Sequence, residues 1–174
     1  MKTVGIISDT HGLLRPEALK ALQGSDLILH AGDIGAPEVL DRLRAIADVV
    51  AIKGNNDRDP WARKIPETAA VSVDGVEVYI IHNVHDLDFN PAVAGFRVVV
   101  SGHSHMPSIA EKSGIMYLNP GSAGPRRFKL PIAVARLKID GASARAEIIT
   151  LAVDAAPKKS LTSRKSRHIK NSAF

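Results

Sequence analysis

Five short β-branched runs, each closed by residues able to hold a metal, constrain this chain more than any other feature. Val4-Gly5-Ile6-Ile7 leads to Asp9 and His11, Leu27-Ile28-Leu29 to Asp33, Val49-Val50-Ala51-Ile52 to Asn55, Val78-Tyr79-Ile80-Ile81 to His82, and Val98-Val99-Val100 to His103 and His105. Apolar runs of this length without polar alternation read as buried strands, which belong to sheets covered on both faces. Open α/β sheets bind ligands at the carboxyl ends of their strands. Seven candidate ligands should therefore gather at one edge of the molecule, delivered by five separate segments.

The intervening sequence supports that placement. After strand 2–8, residues 15–22 read as a helix with Pro16 in the first turn, where a missing N–H costs little. Strand 27–30 follows, and residues 36–46 then space Val39, Leu40, Leu43 and Ile46 at helical intervals. Strand 49–52 completes a βαβαβ unit, which predicts parallel strands with right-handed crossovers. The second half is richer in strands: 70–73 and 76–81 joined through Asp74-Gly75 as a tight hairpin, a loop or short helix near 86–95, and strands 97–101, 108–112, 115–118, 131–139 and 144–150. The last two are linked by Asp140-Gly141. Two packed sheets with helices outside are expected.

Length and charge narrow the partners. A chain of 174 residues fits one domain that buries roughly 70% of its unfolded surface. It has no cysteine, which excludes disulfides and thiolate zinc sites and leaves oxygen and imidazole as metal donors. The net charge of +5 is carried by the end of the chain: residues 157–174 hold six basic residues and no acidic one, so residues 1–156 sit at about −1. The expected division is a domain over 1–153 and a basic tail over 154–174, first read as a flexible solubilising end and second as an arm for nucleic acid or another polyanion. The core offers no stacking platform for nucleic acid, since the whole chain has seven aromatic residues. Met1-Lys2-Thr3 runs straight into the first strand, and no apolar stretch approaches the roughly 20 residues of a membrane span, so a soluble, cytoplasmic protein is expected, with oligomerisation open.

Taken singly, each ligand has a bland reading. Asp9-x-His11 could cap a helix or form a turn, Asp33 and Asn55 follow or neighbour glycines as ordinary turn residues do, and His82 could be a satisfied near-core histidine. Jointly the pattern favours metal. Asp9 and His11 lie two apart, so from an extended strand end both side chains leave one face; His103 and His105 repeat the spacing. A carboxylate such as Asp33 can bridge two cations, and the neutral amide oxygen of Asn55 suits a hard divalent ion. Mixed imidazole and oxygen donors fit Mn, Fe, Co, Ni or Zn and disfavour calcium.

Ser8-Asp9-Thr10-His11-Gly12, Ala31-Gly32-Asp33, Gly54-Asn55-Asn56-Asp57, Ile81-His82, Ser101-Gly102-His103-Ser104-His105 and Asn119-Pro120-Gly121-Ser122 resemble the ordered motifs of the calcineurin-like metallophosphoesterase superfamily, most closely its small YfcE-type phosphodiesterase branch. The resemblance spans nearly residues 1–150. It implies a four-layer α/β/β/α sandwich of two mixed sheets flanked by helices. It implies two divalent ions, manganese first and Fe, Zn, Ni, Co or Mg after it: one on Asp9, His11 and His105, the other on Asn55, His82 and His103, with Asp33 between them. The implied activity is hydrolysis of a small-molecule phosphoester, a diester before a monoester, by in-line attack of a metal-bridging hydroxide. Asp33, Asn55, Asn56 and His103 are the expected catalytic residues.

Two departures stand out. Where many relatives place a His, or in this branch often a Cys, after the metal-binding Asn, this chain has Asn56, which can orient a phosphate oxygen but cannot supply a proton. Good leaving groups should therefore be favoured unless His85 or His11 contributes one. Where the family often has Gly after the ligand matching His82, this chain has Asn83, followed by His85 and Asp86. In the segment 119–127, Arg126 and Arg127 are expected to face solvent. The competing class is an interaction scaffold on the same fold, like the superfamily's retromer subunit; the complete ligand set argues for an enzyme.

Overall fold

The computed structural model describes residues 1–153; the basic tail expected over 154–174 lies outside the described residues. The first half forms the expected βαβαβ unit: β1 (Lys2–Ile7), α1 (Pro16–Leu22), β2 (Leu27–His30), α2 (Pro37–Arg44) and β3 (Asp48–Ala51). β1 pairs parallel with β2, and β2 with β3. Each helix starts on a proline and carries a glutamate in its first turn, Glu17 or Glu38, which suits the positive end of the helix dipole. α2 ends two residues earlier than its apolar periodicity suggests, because Ile46 N turns back to Leu43 O (2.9 Å) in a tighter, 3₁₀-like turn.

The second half supplies β4 (Thr68–Val73), β5 (Val76–Ile81), β6 (Val98–Val100), β7 (Ser108–Lys112), β8 (Ile115–Asn119), β9 (Ala133–Asp140) and β10 (Ser143–Thr150). β9 and β10 return to the first sheet, giving the order β10-β9-β1-β2-β3; the second sheet runs β4-β5-β6-β8-β7. Both sheets are mixed. The β4–β5 hairpin turns on Asp74 (φ 50°) and Gly75 (φ 84°), the pair of left-handed residues that a type I′ turn demands. The last hairpin closes on Gly141-Ala142 rather than Asp140-Gly141, since Asp140 already pairs with Ser143.

Burial confirms the layering. Val4, Ile6, Leu29, Leu137 and Ile139 of the first sheet meet Val78, Ile80, Val98, Val100 and Leu118 of the second in the interior. The outer face of the first sheet, through Ile7, Ile28 and Val134, packs on Ala18 and Leu22 of α1 and on Val39, Leu40 and Leu43 of α2. The outer layer of the second sheet is thinner: Val84 and Leu87, around a 3₁₀ turn at Val84–Asp86, cover Ile81, Val99 and Ile115, and Tyr79 packs against Phe89 and Phe96 at ring distances of 5.0 and 5.1 Å. Among the described residues no helix is long and apolar enough to cross a membrane.

The topology matters for one reason. β1, β2 and β3 run parallel in one sheet, and β5, β6 and β8 run parallel in the other. The loops after β1, β2, β3, β5, β6 and β8 meet through direct hydrogen bonds, among them His103 N to Asp9 Oδ2 and Ser122 Oγ to Asp9 O.

Candidate metal centre

All seven sequence-predicted ligands come together there, but not from extended strand ends. β1 stops at Ile7, and Asp9 (φ 53°) and His11 (φ 47°) both adopt left-handed backbone with Thr10 between them. Asp33 (φ 54°), His103 (φ 67°) and His105 (φ 58°) do the same. Only three other non-glycine residues among those described have positive φ. Such a conformation costs about 1 kcal/mol or more per residue and persists only where its surroundings fix it. Backbone bonds supply part of that fixation: Asp9 N donates to Gly32 O (3.0 Å), His11 N to Asp33 O (2.9 Å) and Gly12 N to Ile34 O (2.7 Å).

The donor atoms fall into two sets. In the first, His105 Nε2 lies 3.3 Å from both His11 Nε2 and Asp9 Oδ1. Asp9 is fully buried, and its Oδ1 accepts no hydrogen bond among the described residues. A buried carboxylate oxygen left without a proton donor, facing two imidazole nitrogens, is an incomplete arrangement that a cation completes. In the second set, Asn55 Oδ1 stands 3.1 Å from His82 Nε2 and 3.0 Å from His103 Nδ1. The His82 Nδ1–H donates to Ala31 O at 2.7 Å, which leaves Nε2 turned into the centre as the nitrogen that could hold a metal.

Asp33 lies between the sets. Its Oδ2 is 3.8 Å from His11 Nε2 and 3.5 Å from His82 Nε2. Its Oδ1 is occupied by the backbone N–H of Asn56 at 2.9 Å, so a single oxygen faces both sets. Burial favours the protonated carboxyl, but hydrogen bonds from His82 and from the backbone and side chain of Asn56 outweigh it and hold Asp33 well below the ordinary carboxylate range. His82 shows the counterpart: burial lowers its basicity, yet the bonds to Asp33 and Ala31 leave it above the ordinary histidine value. A proton is stabilised where a metal cation would sit. His11 is lowered, chiefly by burial, with the nearby charge of Arg127 adding to the effect. The donor set therefore fits divalent cations.

Glycines permit this crowding. A methyl group on Gly54 would overlap the Asp33 carboxylate, and one on Gly102 would overlap Ser8 Oγ and crowd Asp9 Oδ2. The ligand loops pass too close to the carboxylates to tolerate any side chain there.

The remaining site residues are distributed as follows. Asn56 directs its side-chain N–H to Asp33 Oδ2 (2.6 Å), so the amide is committed to the central carboxylate. His85 is exposed on the 3₁₀ turn, and its backbone N bonds Asn83 Oδ1. The segment after β8 frames the first set: Asn119 Nδ2 donates to Gly102 O (2.7 Å), Ser122 Oγ to Asp9 O (2.9 Å) and Ala123 N to Ser8 O (3.1 Å). Arg127, on the loop beyond, is exposed as expected but lies within electrostatic reach of His11. A cleft of ≈ 520 Å³ opens beside Asn55, His82 and His103, walled further by Lys53, Tyr79 and Asp86.

Two supporting residues carry no role in the sequence reading. Asp57, 5% exposed, accepts from Ile34 N (3.0 Å), Gly35 N (2.9 Å) and Gly54 N (2.8 Å), tying the Asp33 loop to the Asn55 loop. His30, at the end of β2, is fully buried beneath the centre. Asp57 was visible as the last residue of Gly54-Asn55-Asn56-Asp57; His30, ending an apolar strand, had only its unusual polarity to mark it.

A family model described as the calcineurin-like phosphoesterase superfamily domain matches residues 1–142. The chain belongs to that superfamily. Phosphoester hydrolysis with divalent metal is the chemistry that goes with this membership. This superfamily member is 36% identical over 158 residues to a probable metallophosphoesterase of Methanothermobacter thermautotrophicus, covering 84% of this chain and 91% of that protein. It is 28% identical over 137 residues to a phosphodiesterase of Methanocaldococcus jannaschii, covering 68% and 82% of the two. Among solved structures it resembles Vps29 of Chaetomium thermophilum (TM-score 0.71, 18% identity, 87% and 98% covered) and the phosphoesterase YfcE of E. coli (TM-score 0.59, 23% identity, 78% and 88% covered). At those identities the two structures speak for the fold.

Proposed function

We propose that this chain is a phosphoesterase using two divalent metal ions, with diesters before monoesters as substrates. One observation carries the reading: two converging sets of donor atoms with a single oxygen of Asp33 between them. Asp9, His11 and His105 would hold one ion, Asn55, His82 and His103 the other, and Asp33 both. Manganese is the first choice, since mixed nitrogen and oxygen donors suit the first-row divalent ions. Bound ions would supply Lewis acidity toward the phosphoryl oxygens and a water-derived nucleophile near neutral pH for in-line attack.

This chain's own residues set the geometry. The low proton affinity of Asp33 keeps it an anion across the working pH range, and Asn56 fixes its orientation from two sides. The cleft beside the second set offers the substrate its approach, and Arg127 gives positive potential on the side of the first. Asn56 donates a hydrogen bond but cannot yield a proton, so the leaving group departs best when it is stable as an anion. That property, together with the similarity to a phosphodiesterase, supports activated diesters as substrates. The scaffold alternative has fold similarity behind it, but a full set of buried, converging donors is not needed for docking.

The deciding experiment uses bis(p-nitrophenyl) phosphate with Mn²⁺ and the Asp33→Ala variant. Hydrolysis should fall by roughly 10³-fold or more, the scale of losing a central electrostatic contact, and bound metal should fall with it. Full activity in Asp33→Ala would refute the assignment.

A further inference from the structure

Asp9 and His11 hold left-handed backbone on either side of Thr10, so something must keep that segment from relaxing. The backbone bonds at Asp9, His11 and Gly12 act on the flanking residues. Thr10 accepts one backbone bond at its carbonyl, from Leu13 N (2.8 Å), and is otherwise fixed through its side chain, which is fully buried. Its hydroxyl donates to Ile34 O at 2.8 Å, and a hydroxyl has one hydrogen to give. The 3.0 Å contact between Thr10 Oγ1 and His30 Nε2 must then be a donation from the ring. On the other side of that ring, Gly32 N donates to Nδ1 at 3.2 Å, which requires Nδ1 to be bare. The two contacts independently demand the same neutral tautomer, protonated on Nε2. Burial agrees, holding the imidazole at about 4.

We propose that Thr10, gripped by His30, is a positioning residue that sets Asp9 and His11 for the first metal ion. The chain of contacts runs from Gly32 N–H through the His30 ring and the Thr10 hydroxyl to Ile34 O, and it joins the Asp9–His11 turn to the residues flanking Asp33. Among the described residues, neither side chain hydrogen-bonds to Asn55, His82 or His103. His82 is fixed instead by Ala31 O, and Asn55 neighbours the separate clamp made by Asp57. This inference rests on the two-metal reading above and adds a division of labour within it.

Thr10→Val keeps the shape and loses the hydroxyl; Thr10→Ser keeps the hydroxyl. Mn²⁺ binding isotherms of the full-length protein should show one of two sites weakened roughly 10–100-fold in Thr10→Val, the range seen when a residue orienting a metal ligand is removed. The isotherm should move toward that of His11→Ala rather than His82→Ala, and Thr10→Ser should restore it. His30→Gln should weaken the same site, but the Val and Ser pair decides the matter if that variant fails to fold. A Thr10→Val protein with both affinities unchanged overturns the inference, whether or not its melting temperature falls, as does Thr10→Ser impaired as badly as Val. A wild type that takes up no Mn²⁺ would instead overturn the two-metal reading, and this inference with it.

Discussion

The two halves of the centre are held by different means. In the first, Asp9, His11 and His105 all sit on left-handed backbone; Asp9 and His105 are buried, and the turn carrying Asp9 and His11 is gripped from below. In the second, only His103 has positive φ; Asn55 and His103 are exposed to the cleft, His82 is buried and fixed by Ala31 O, and contacts between side chains set the remaining distances. A rigid, buried, carboxylate-bearing half suits the permanent retention of a cation. An open half with a neutral amide donor would leave a cation held there more electrophilic and reachable by substrate.

The strongest way to break this comparison is to remove one imidazole from each half. His11→Ala and His103→Ala should each lower diester hydrolysis by roughly 10³-fold at low Mn²⁺. They should differ in recovery. Water from the open cleft can replace the exposed His103, so millimolar Mn²⁺ should return part of the His103→Ala activity and little of the His11→Ala activity. Titrating the rate of each variant with Mn²⁺ checks this, and easier rescue of His11→Ala would invert the assignment of rigid and open halves.

The same contrast explains what could be read before the fold was known. Strand runs and ligand order were legible because a parallel sheet needs apolar segments and places their following residues at one edge; the βαβαβ unit and both sheets match the reading. The ligand geometry of the first half was not. Two-residue spacing suggested an extended strand end, whereas Asp9 and His11 lie on left-handed backbone, a conformation in which Asp and His are enriched but which stays too rare to be assigned without its tertiary supports. The thin outer layer over the second sheet was only half legible: its segment 84–96 has aromatic and apolar residues but no helical spacing, and Tyr79, Phe89 and Phe96 pack it down without a regular helix. The clamp role of Asp57 was hidden because it acts through backbone N–H groups of the distant Asp33 loop, and that of His30 because its partners are the Thr10 hydroxyl and a backbone N–H two residues on.

A second way to sharpen the comparison is acid. Without metal, the halves respond in opposite directions. His82 has a raised value, so its contribution to stability is fully present below about 6.5 and is lost as pH rises through that raised value. His30, beneath the first half, titrates near 6.5 in the unfolded chain and at about 4 in the fold. Its protonation therefore favours unfolding: its contribution is complete above 6.5 and disappears as pH falls toward 4, by about 3 kcal/mol over the whole window. His11 shifts in the same direction as His30. Urea unfolding of the chelator-treated protein at pH 7 and pH 4.5 should show the wild type losing about 2–3 kcal/mol more than His30→Gln. Equal losses would mean that His30 titrates alike in the folded and unfolded chain.

The smallest effect lies at the junction of the halves. Asn56→Ala removes the 2.6 Å bond to Asp33 Oδ2 and leaves the 2.9 Å backbone bond to Oδ1. One hydrogen bond to a charged group is worth roughly 1.5–3 kcal/mol, or about 10–100-fold in rate. If the amide acts by orienting Asp33, hydrolysis of a p-nitrophenyl diester and of an alkyl diester should fall by the same factor, because the central carboxylate serves both. If it acts instead at the leaving oxygen, the alkyl diester should suffer far more. Asn56→His tests the same point from the other side. An imidazole that can yield a proton should narrow the gap between the two substrates, while losing the short bond to Asp33 should lower the rate on both. Equal loss in Asn56→Ala combined with a narrowed gap in Asn56→His would place the amide with the bridge rather than with the leaving group. It would also explain how this chain keeps all seven candidate metal donors while lacking an acid at that position.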